Sequence, residues 1–292
     1  MRGFNRSSAS WAVRQSASPL GDDAVNVAVV QLDSCEDRER NLAKCERFIR
    51  GAKERGAHLV VFPENVLYRG KDEGFRSSAS AIPGPVISRL AELSHAHRIA
   101  VVWGAIVERG ARGLHNSCVV IGADGALLGV YRKIHLFELF DGGKVLFREA
   151  DLFAHGSELV TVRHDGFTLG LSICYDLRFP ELYRSLLSRG ADVLLAPSDF
   201  TRRTGKAHWL PLLTARAIEN LSYVVAPNQC GKNTKTGAFS HGHSAIISPW
   251  GELIASCDGE HEGMCMATLD RATLLDARQR IRALDHRRPA SA

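Results

Sequence analysis

Two stretches far apart in this chain read almost alike, and their likeness narrows the folds open to it. Arg55-Gly-Ala-His-Leu-Val-Val-Phe-Pro-Glu64 is matched by Arg189-Gly-Ala-Asp-Val-Leu-Leu-Ala-Pro-Ser198, 134 residues on. A helical pattern precedes each copy, over residues 38–54 and 180–188. Further along, Ala100-Val-Val-Trp103 matches Tyr223-Val-Val-Ala226, each behind an amphipathic stretch. Ser117–Gly125 then matches His243–Gly251, both strand–turn–strand patterns punctuated by a turn glycine. Three matches in one order mark a duplicated unit better than a chance likeness of two β-α pieces.

Each half is therefore predicted to run strand, helix, strand, helix, strand, strand, strand. Val27–Val30, Leu59–Phe62 and Val193–Ala196 are apolar without alternation, the pattern of strands buried on both faces. A sheet covered by helices on one side and packed against its copy on the other buries them. The predicted fold is α/β, a four-layer α-β-β-α sandwich of two pseudo-repeated halves. The predicted layout is an N-terminal extension at 1–22, one domain at 23–288 and a tail at 289–292.

Composition excludes several function classes. Of 292 residues, 45% are hydrophobic and 24% charged, enough for a core without disulfide staples. Lys+Arg exceeds Asp+Glu by 37 to 32, a surplus too diffuse to indicate nucleic acid or an anionic membrane. No stretch approaches the apolar length of a membrane span. The seven cysteines are odd in number and form no C-x-x-C pair, which argues against a disulfide framework and a zinc ribbon. Reduced thiols in a cytoplasmic setting are the simpler expectation. Met1–Gly21 holds Arg2, Arg6, Arg14, five serines and no acidic residue. That composition fits a mitochondrial transit peptide, with an unstructured extension as the plainer reading. The scattered histidines show no ligand spacing, so neither a metal nor another cofactor is expected.

Three positions could carry chemistry. A strand is predicted to end at Ile173 and a helix to begin near Phe179, because Pro180 suits a first helical turn. Cys174 thus falls on a strand-to-helix turn, where a nucleophile is exposed and neighbouring N–H groups can hold an oxyanion. A helix N-terminus should also pull the thiol's pKa down. Alone, a cysteine at such a turn is more often a small buried hydrophobe, the reading that Cys118 and Cys230 receive. Glu64 ends a buried strand in Val-Val-Phe-Pro-Glu-Asn, where a carboxylate either caps a loop or projects into a site. Lys133 follows the strand Leu127–Tyr131 and by itself reads as a solvated lysine. The repeat adds that Glu64 and Cys174 stand at strand ends on opposite halves.

F-P-E-N at 62–65, Y-R-K-x-H-L-F-E at 131–138 and C-Y-D-L-R-F-P-E-L at 174–182 resemble, in order, the three signatures of the carbon–nitrogen hydrolase (nitrilase-like) superfamily. The resemblance covers about residues 25–288. It implies the same α-β-β-α sandwich, with Glu64 as general base, Lys133 as oxyanion stabiliser and Cys174 as nucleophile. A second glutamate belongs to the pattern between lysine and cysteine. Glu149 is the match, 16 residues after Lys133 and 25 before Cys174, and Glu138 is the runner-up. The implied chemistry releases ammonia, leaves a thioester on Cys174 and hydrolyses it, with the Tyr175 backbone N–H beside Lys133 at the oxyanion. The resemblance also implies a homodimer or larger homo-oligomer, for which an apolar helix bearing Leu182, Leu186 and Leu187 offers a surface.

Nitrile-cleaving members generally follow the cysteine with Trp-Glu, whereas Tyr175-Asp176 resembles the amidase branch. Arg178–Glu181, Thr204-Gly205, Ala207-His208-Trp209, Ala215–Glu219 and Gln229-Cys230-Gly231 look most like the deaminated glutathione amidases, with the omega-amidases second. By that resemblance Arg178 and Thr204 bind a substrate carboxylate, a task suited to arginine's planar fork. The plain alternative for Arg178 is a structural salt bridge. Leu210, where these amidases usually carry Glu, and Glu-Leu-Phe-Asp-Gly-Gly-Lys at 138–144 depart from the pattern at the expected pocket rim. The expectation is an amidohydrolase for a small carboxylate-bearing amide, with no nucleic-acid or membrane partner. An N-carbamoyl amine hydrolase or nitrilase, and a scaffold protein on the same fold, are the competing expectations.

Overall fold

The structure, a computed structural model, describes residues 23–288. The extension expected at 1–22 and the tail expected at 289–292 lie outside the described residues. The first half contains β1 (Ala24–Gln31), α1 (Arg38–Glu54), β2 (Leu59–Val61), α2 (Asp72–Ser78), α3 (Pro85–His97), β3 (Ala100–Gly110), β4 (Gly113–Ile121) and β5 (Leu127–Arg132). A hairpin of β6 (Glu138–Asp141) and β7 (Lys144–Arg148) follows. The second half contains β8 (Thr161–His164), β9 (Phe167–Leu171), α4 (Pro180–Ser188), β10 (Val193–Leu195), α5 (Arg202–Asn220), β11 (Tyr223–Ala226), β12 (Ala245–Ile247) and β13 (Leu253–Ser256). The described chain closes with β14 (Gly263–Asp270) and α6 (Arg271–Arg280).

The strands form two six-stranded sheets of matching order, β14-β1-β2-β3-β4-β5 and β8-β9-β10-β11-β12-β13. In each, the three central strands run parallel and the next two return antiparallel. The predicted run of strand, helix, strand, helix and three strands is present in both halves. The sequence reading did not find β8 and β14, which each form one edge of their sheet, or the β6–β7 hairpin. β14 pairs with all eight residues of β1, so the first sheet is completed by the far end of the chain.

Alternation along β1 builds the layers. Val25, Val27 and Val29 enter a core shared with Leu169, Leu171 and Leu195 of the opposite sheet. Ala28 and Val30 face the other way, toward Leu42, Cys45 and Ile49 of α1 and Leu90 of α3. Each fully buried Leu, Ile or Val contributes about 1.5–3 kcal/mol relative to exposure, which is why both faces of these strands are apolar. Local signals set the helix starts. Asp37 caps α1 by accepting the Arg40 N–H at 3.1 Å, and Pro180 opens α4.

The helix expected to offer an apolar surface does not do so. Leu182 and Leu186 are 5% and 0% exposed, because α4 turns that stripe onto its own sheet. Exposed apolar side chains sit instead on α5 (Leu210, Ile218), on the turn at Trp250 and on the β6–β7 hairpin. Among the described residues no helix is long and apolar enough to cross a membrane.

Candidate active site

Parallel strands of both sheets end on the same side, and the loops beyond them bring the predicted residues together. Glu64 stands three residues past β2. Gly104 lets β3 press against that segment: a Cβ there would lie 2.0 Å from the Phe62 carbonyl and 2.4 Å from that of Pro63. The Glu64 backbone is tied further by Gln229, whose Nε2 donates to its carbonyl at 2.8 Å. Lys133 follows β5 directly, and its N–H donates to the Asn116 carbonyl of β4 at 2.9 Å.

The Lys133 ammonium donates to Glu64 Oε1 at 2.8 Å and to Glu149 Oε2 at 2.8 Å and Oε1 at 3.1 Å. All three side chains are buried. Glu149 reaches this place because the β6–β7 hairpin returns the chain beside Phe137, whose N–H donates to Glu149 Oε2 at 2.8 Å. The runner-up Glu138 is directed elsewhere, to Arg148 at 2.9 Å. The departure at 138–144 is that hairpin's first strand and tip, with Gly142 and Gly143 both at positive φ, as a tight two-residue turn requires.

Cys174 opens a short helical turn, Cys174–Arg178, with φ of +49°, the strained left-handed conformation of a nucleophile elbow. Such a conformation costs about 1–3 kcal/mol and persists only where the surroundings enforce it. The enforcing group is Asp176. Its carboxylate accepts Ile173 N–H at 2.9 Å, Tyr131 O–H at 2.7 Å and His135 N–H at 3.0 Å. One buried carboxylate thus ties the Cys174 turn to the loop that carries Lys133. Among the described residues, no acceptor takes the Tyr175 N–H, which stands at the start of the turn where helical N–H groups lack internal partners.

Glu64 lies beside the Cys174 thiol, and the Asp199 N–H donates to Glu64 Oε2 at 3.0 Å. Arg69 fixes Asp199 from behind, its Nε 3.0 Å from the carboxylate. Burial and the neighbouring Glu64 carboxylate push the Cys174 pKa well above the ordinary thiol value, against the pull of Lys133. This corrects the expectation of a thiol activated by a helix N-terminus: the turn is one short helical segment, too little to offset desolvation. Glu64 is raised by burial, which outweighs Lys133, and Glu149 adds to the rise. Burial opposes the Lys133 charge, but Glu149 and Glu64 together raise its pKa well above the ordinary lysine value. The site thus gathers a thiol, two buried acidic side chains and the lysine that bridges them.

The sequence reading missed Asn116, whose Nδ2 donates to Glu64 Oε1 at 2.9 Å and to Glu149 Oε1 at 3.0 Å. The signal available was an asparagine within a strand otherwise suited to burial. Arg178 ends the Cys174 turn and lies between the rings of Tyr175 and Phe200, 5.8 and 5.6 Å from their centroids. Among the described residues no carboxylate pairs with it; His208 Nδ1 is 3.3 Å from both terminal nitrogens. Thr204 is engaged at the start of α5, its hydroxyl 2.9 Å from that of the capping residue Thr201. Among the described residues no group of three or more His, Cys, Asp or Glu side chains is placed to hold a metal ion.

The carbon-nitrogen hydrolase family model matches residues 26–279. The chain is 38% identical over 266 residues to the deaminated glutathione amidase of Synechocystis sp. (strain PCC 6803 / GT-S), covering 89% of this chain and 97% of that protein. It is 36% identical over 257 residues to omega-amidase NIT2 of Homo sapiens, covering 87% and 92%. Its structure is similar to the C. elegans NitFhit protein, with a TM-score of 0.84, 34% identity and coverage of 92% of this chain and 66% of that one. It is also similar to a mutant amidase from Nesterenkonia sp. AN1 bearing the acetamide moiety of fluoroacetamide on its active site cysteine. There the TM-score is 0.74 and the identity 25%, with 91% and 96% covered. Fold and relatives together define a hydrolase of carbon–nitrogen bonds other than peptide bonds. The chain belongs to the carbon-nitrogen hydrolase family.

Proposed function

We propose that this enzyme cleaves the amide of a small carboxylate-bearing substrate through a thioester on Cys174, with deaminated glutathione as the favoured substrate. The observation that carries this reading is the contact of one ammonium with two buried carboxylates, one of which lies beside the thiol. Glu64 takes the thiol proton as sulfur attacks the amide carbon, which suits a thiol whose pKa is too high to ionise beforehand. Lys133 and the Tyr175 N–H hold the oxyanion. Glu64 passes the proton to the leaving nitrogen, ammonia departs, and Glu64 then draws a proton from the water that opens the thioester. Glu149 acts through Lys133, keeping it charged and aimed. The covalently modified cysteine of the Nesterenkonia amidase supports the nucleophile role.

The acid limb of kcat/KM is expected above the usual carboxylate range, because Glu64 must be ionised and its pKa is raised by burial. Asn116→Ala is expected to move that limb to still higher pH, since a hydrogen bond to the ionised form is lost. It should also lower kcat by roughly 10- to 100-fold, the worth of one hydrogen bond to a charged group. A pH–rate profile of the variant checks this; an unmoved acid limb would show that Asn116 does not act on Glu64.

Arg178 supports the preference for an acidic substrate. Its guanidinium, bordered by two aromatic rings and lacking a carboxylate partner among the described residues, suits a bidentate anion. Arg178→Ala should lower kcat/KM for the acid amide by about 100-fold and for a neutral amide such as hexanamide only slightly. Ammonia release measured on both substrates decides it, and equal losses would make Arg178 structural. The second reading, an omega-amidase, predicts the same loss with alpha-ketoglutaramate as the better substrate. Thr204 has a smaller part in this reading, because its hydroxyl is already engaged in capping. A homodimer or larger homo-oligomer in the cytoplasm completes it, with the exposed Leu210 and Ile218 of α5 as the contact face.

A further inference from the structure

Two cysteines with no part in the proposed chemistry lie against each other. Cys257 follows β13, at the edge of the second sheet, and Cys265 lies in β14, at the edge of the first. One carbonyl, that of Ser244, brings the two residues together: the Cys257 N–H donates to it at 2.9 Å, and Cys265 Sγ lies 3.7 Å from the same oxygen. A Cβ placed on Gly263, two residues before Cys265 and so on the same face of β14, would stand 4.0 Å from Cys257 Sγ. Both side chains are partly exposed.

The two thiols are chemically unequal. The neighbouring Cys265 thiol pulls the Cys257 pKa down, and Cys257 together with burial pushes Cys265 up. Cys45, Cys118, Cys174 and Cys230 are all pushed up, with burial the largest cause. The thiolate is the form that peroxide oxidises, so Cys257 is the preferred point of attack.

We propose that Cys257 and Cys265 form a peroxide-sensitive dithiol whose disulfide joins the two sheets of the sandwich. The Cys257 thiolate attacks one oxygen of hydrogen peroxide; the O–O bond breaks, hydroxide leaves and a sulfenic acid forms. The Cys265 sulfur then attacks the Cys257 sulfur. The S–O bond breaks, and the hydroxide leaves with the Cys265 proton as water. In total, two thiols lose two electrons and two protons, and one peroxide becomes two waters. The bond would close a loop over residues 258–264. That loop already docks on β1, where Gln31 Nε2 donates to the carbonyls of Asp258 at 2.6 Å and His261 at 2.8 Å. Its Glu260, His261 and Glu262 line an open cavity of about 640 Å³ together with Asp33 and Lys44, and Glu262 meets Lys44 at 2.7 Å, so the disulfide would stiffen one wall of that cavity.

The test treats the full-length protein with a few equivalents of hydrogen peroxide, alkylates it without reductant and cleaves it after glutamate. Glu260 and Glu262 lie between the two cysteines, so their peptides separate unless bonded. The expected result is a cross-linked peptide pair that reductant abolishes, with loss of iodoacetamide label at both positions. In Cys265→Ser the Cys257 sulfenic acid, denied its partner, should be trapped by dimedone. The proposal is overturned if both cysteines still take the label after peroxide. It is equally overturned if wild-type Cys257 accumulates as sulfenic acid without a cross-link.

Discussion

Cys174→Ala is expected to lower kcat by roughly 10⁴- to 10⁶-fold, the scale on which removal of a covalent nucleophile acts. No neighbour can replace the lost sulfur: Cys118 and Cys230 are buried elsewhere in the fold. The protein should remain folded, because Asp176, rather than the thiol, holds the turn through Ile173, Tyr131 and His135. Alanine inherits the positive φ, so the backbone strain is common to both proteins. Initial rates of ammonia release and a thermal melt together check this. Activity above a few per cent of wild type would remove Cys174 from the nucleophile role, and a collapsed melt would show that the thiol is also structural.

Lys133→Ala is expected to damage both activity and stability. Loss of one oxyanion donor lowers turnover by about 100- to 1000-fold, and here the lost donor carries the charge. Removal also leaves Glu64 and Glu149 buried together with no cation, which costs about 3–5 kcal/mol when a buried ion pair is broken from one side. The stability loss should depend on pH. A carboxyl whose folded-state pKa lies above its unfolded value stabilises the fold most below the unfolded value, and that gain disappears as pH rises through the folded one. Glu64 is already raised, and loss of Lys133 removes a lowering cause. The variant should therefore melt closest to wild type in the acid range where Glu64 is protonated, and farthest from it at neutral pH and above. Lys133→Arg should not rescue turnover, since a planar fork cannot satisfy two carboxylates and an oxyanion from an ammonium's position. A Lys133→Ala enzyme with a wild-type melt at neutral pH would contradict the buried cluster.

The repeat, the order of its elements and the strand-end positions of Glu64 and Cys174 were legible because each rests on local pattern. A strand buried on both faces shows as an unbroken apolar run, and a helix shows its caps and its stripe, whatever the rest of the chain does. Thr201 and Thr204 were legible in principle for the same reason, as a cap at the start of α5. Glu149 and Glu138 could not be separated by spacing alone. A hairpin decides between them by returning the chain beside Phe137, which aims one glutamate inward and leaves the other against Arg148.

What remained for the tertiary structure is everything that depends on which side chains meet across long intervals. Asn116 bridges carboxylates 52 and 33 residues away, and Asp176 reaches back 45 residues to Tyr131. β14 completes a sheet begun at Ala24, because an eight-residue edge left unpaired would expose its N–H and C=O groups. The direction of the Cys174 pKa also belongs here. The turn was readable, but burial and the neighbouring Glu64 arise only once two sheets close over the site. Backbone propensity acts over a few residues and is written along the chain. Desolvation and charge pairing act through space, and their sign is set only when the loops at the ends of both sheets converge.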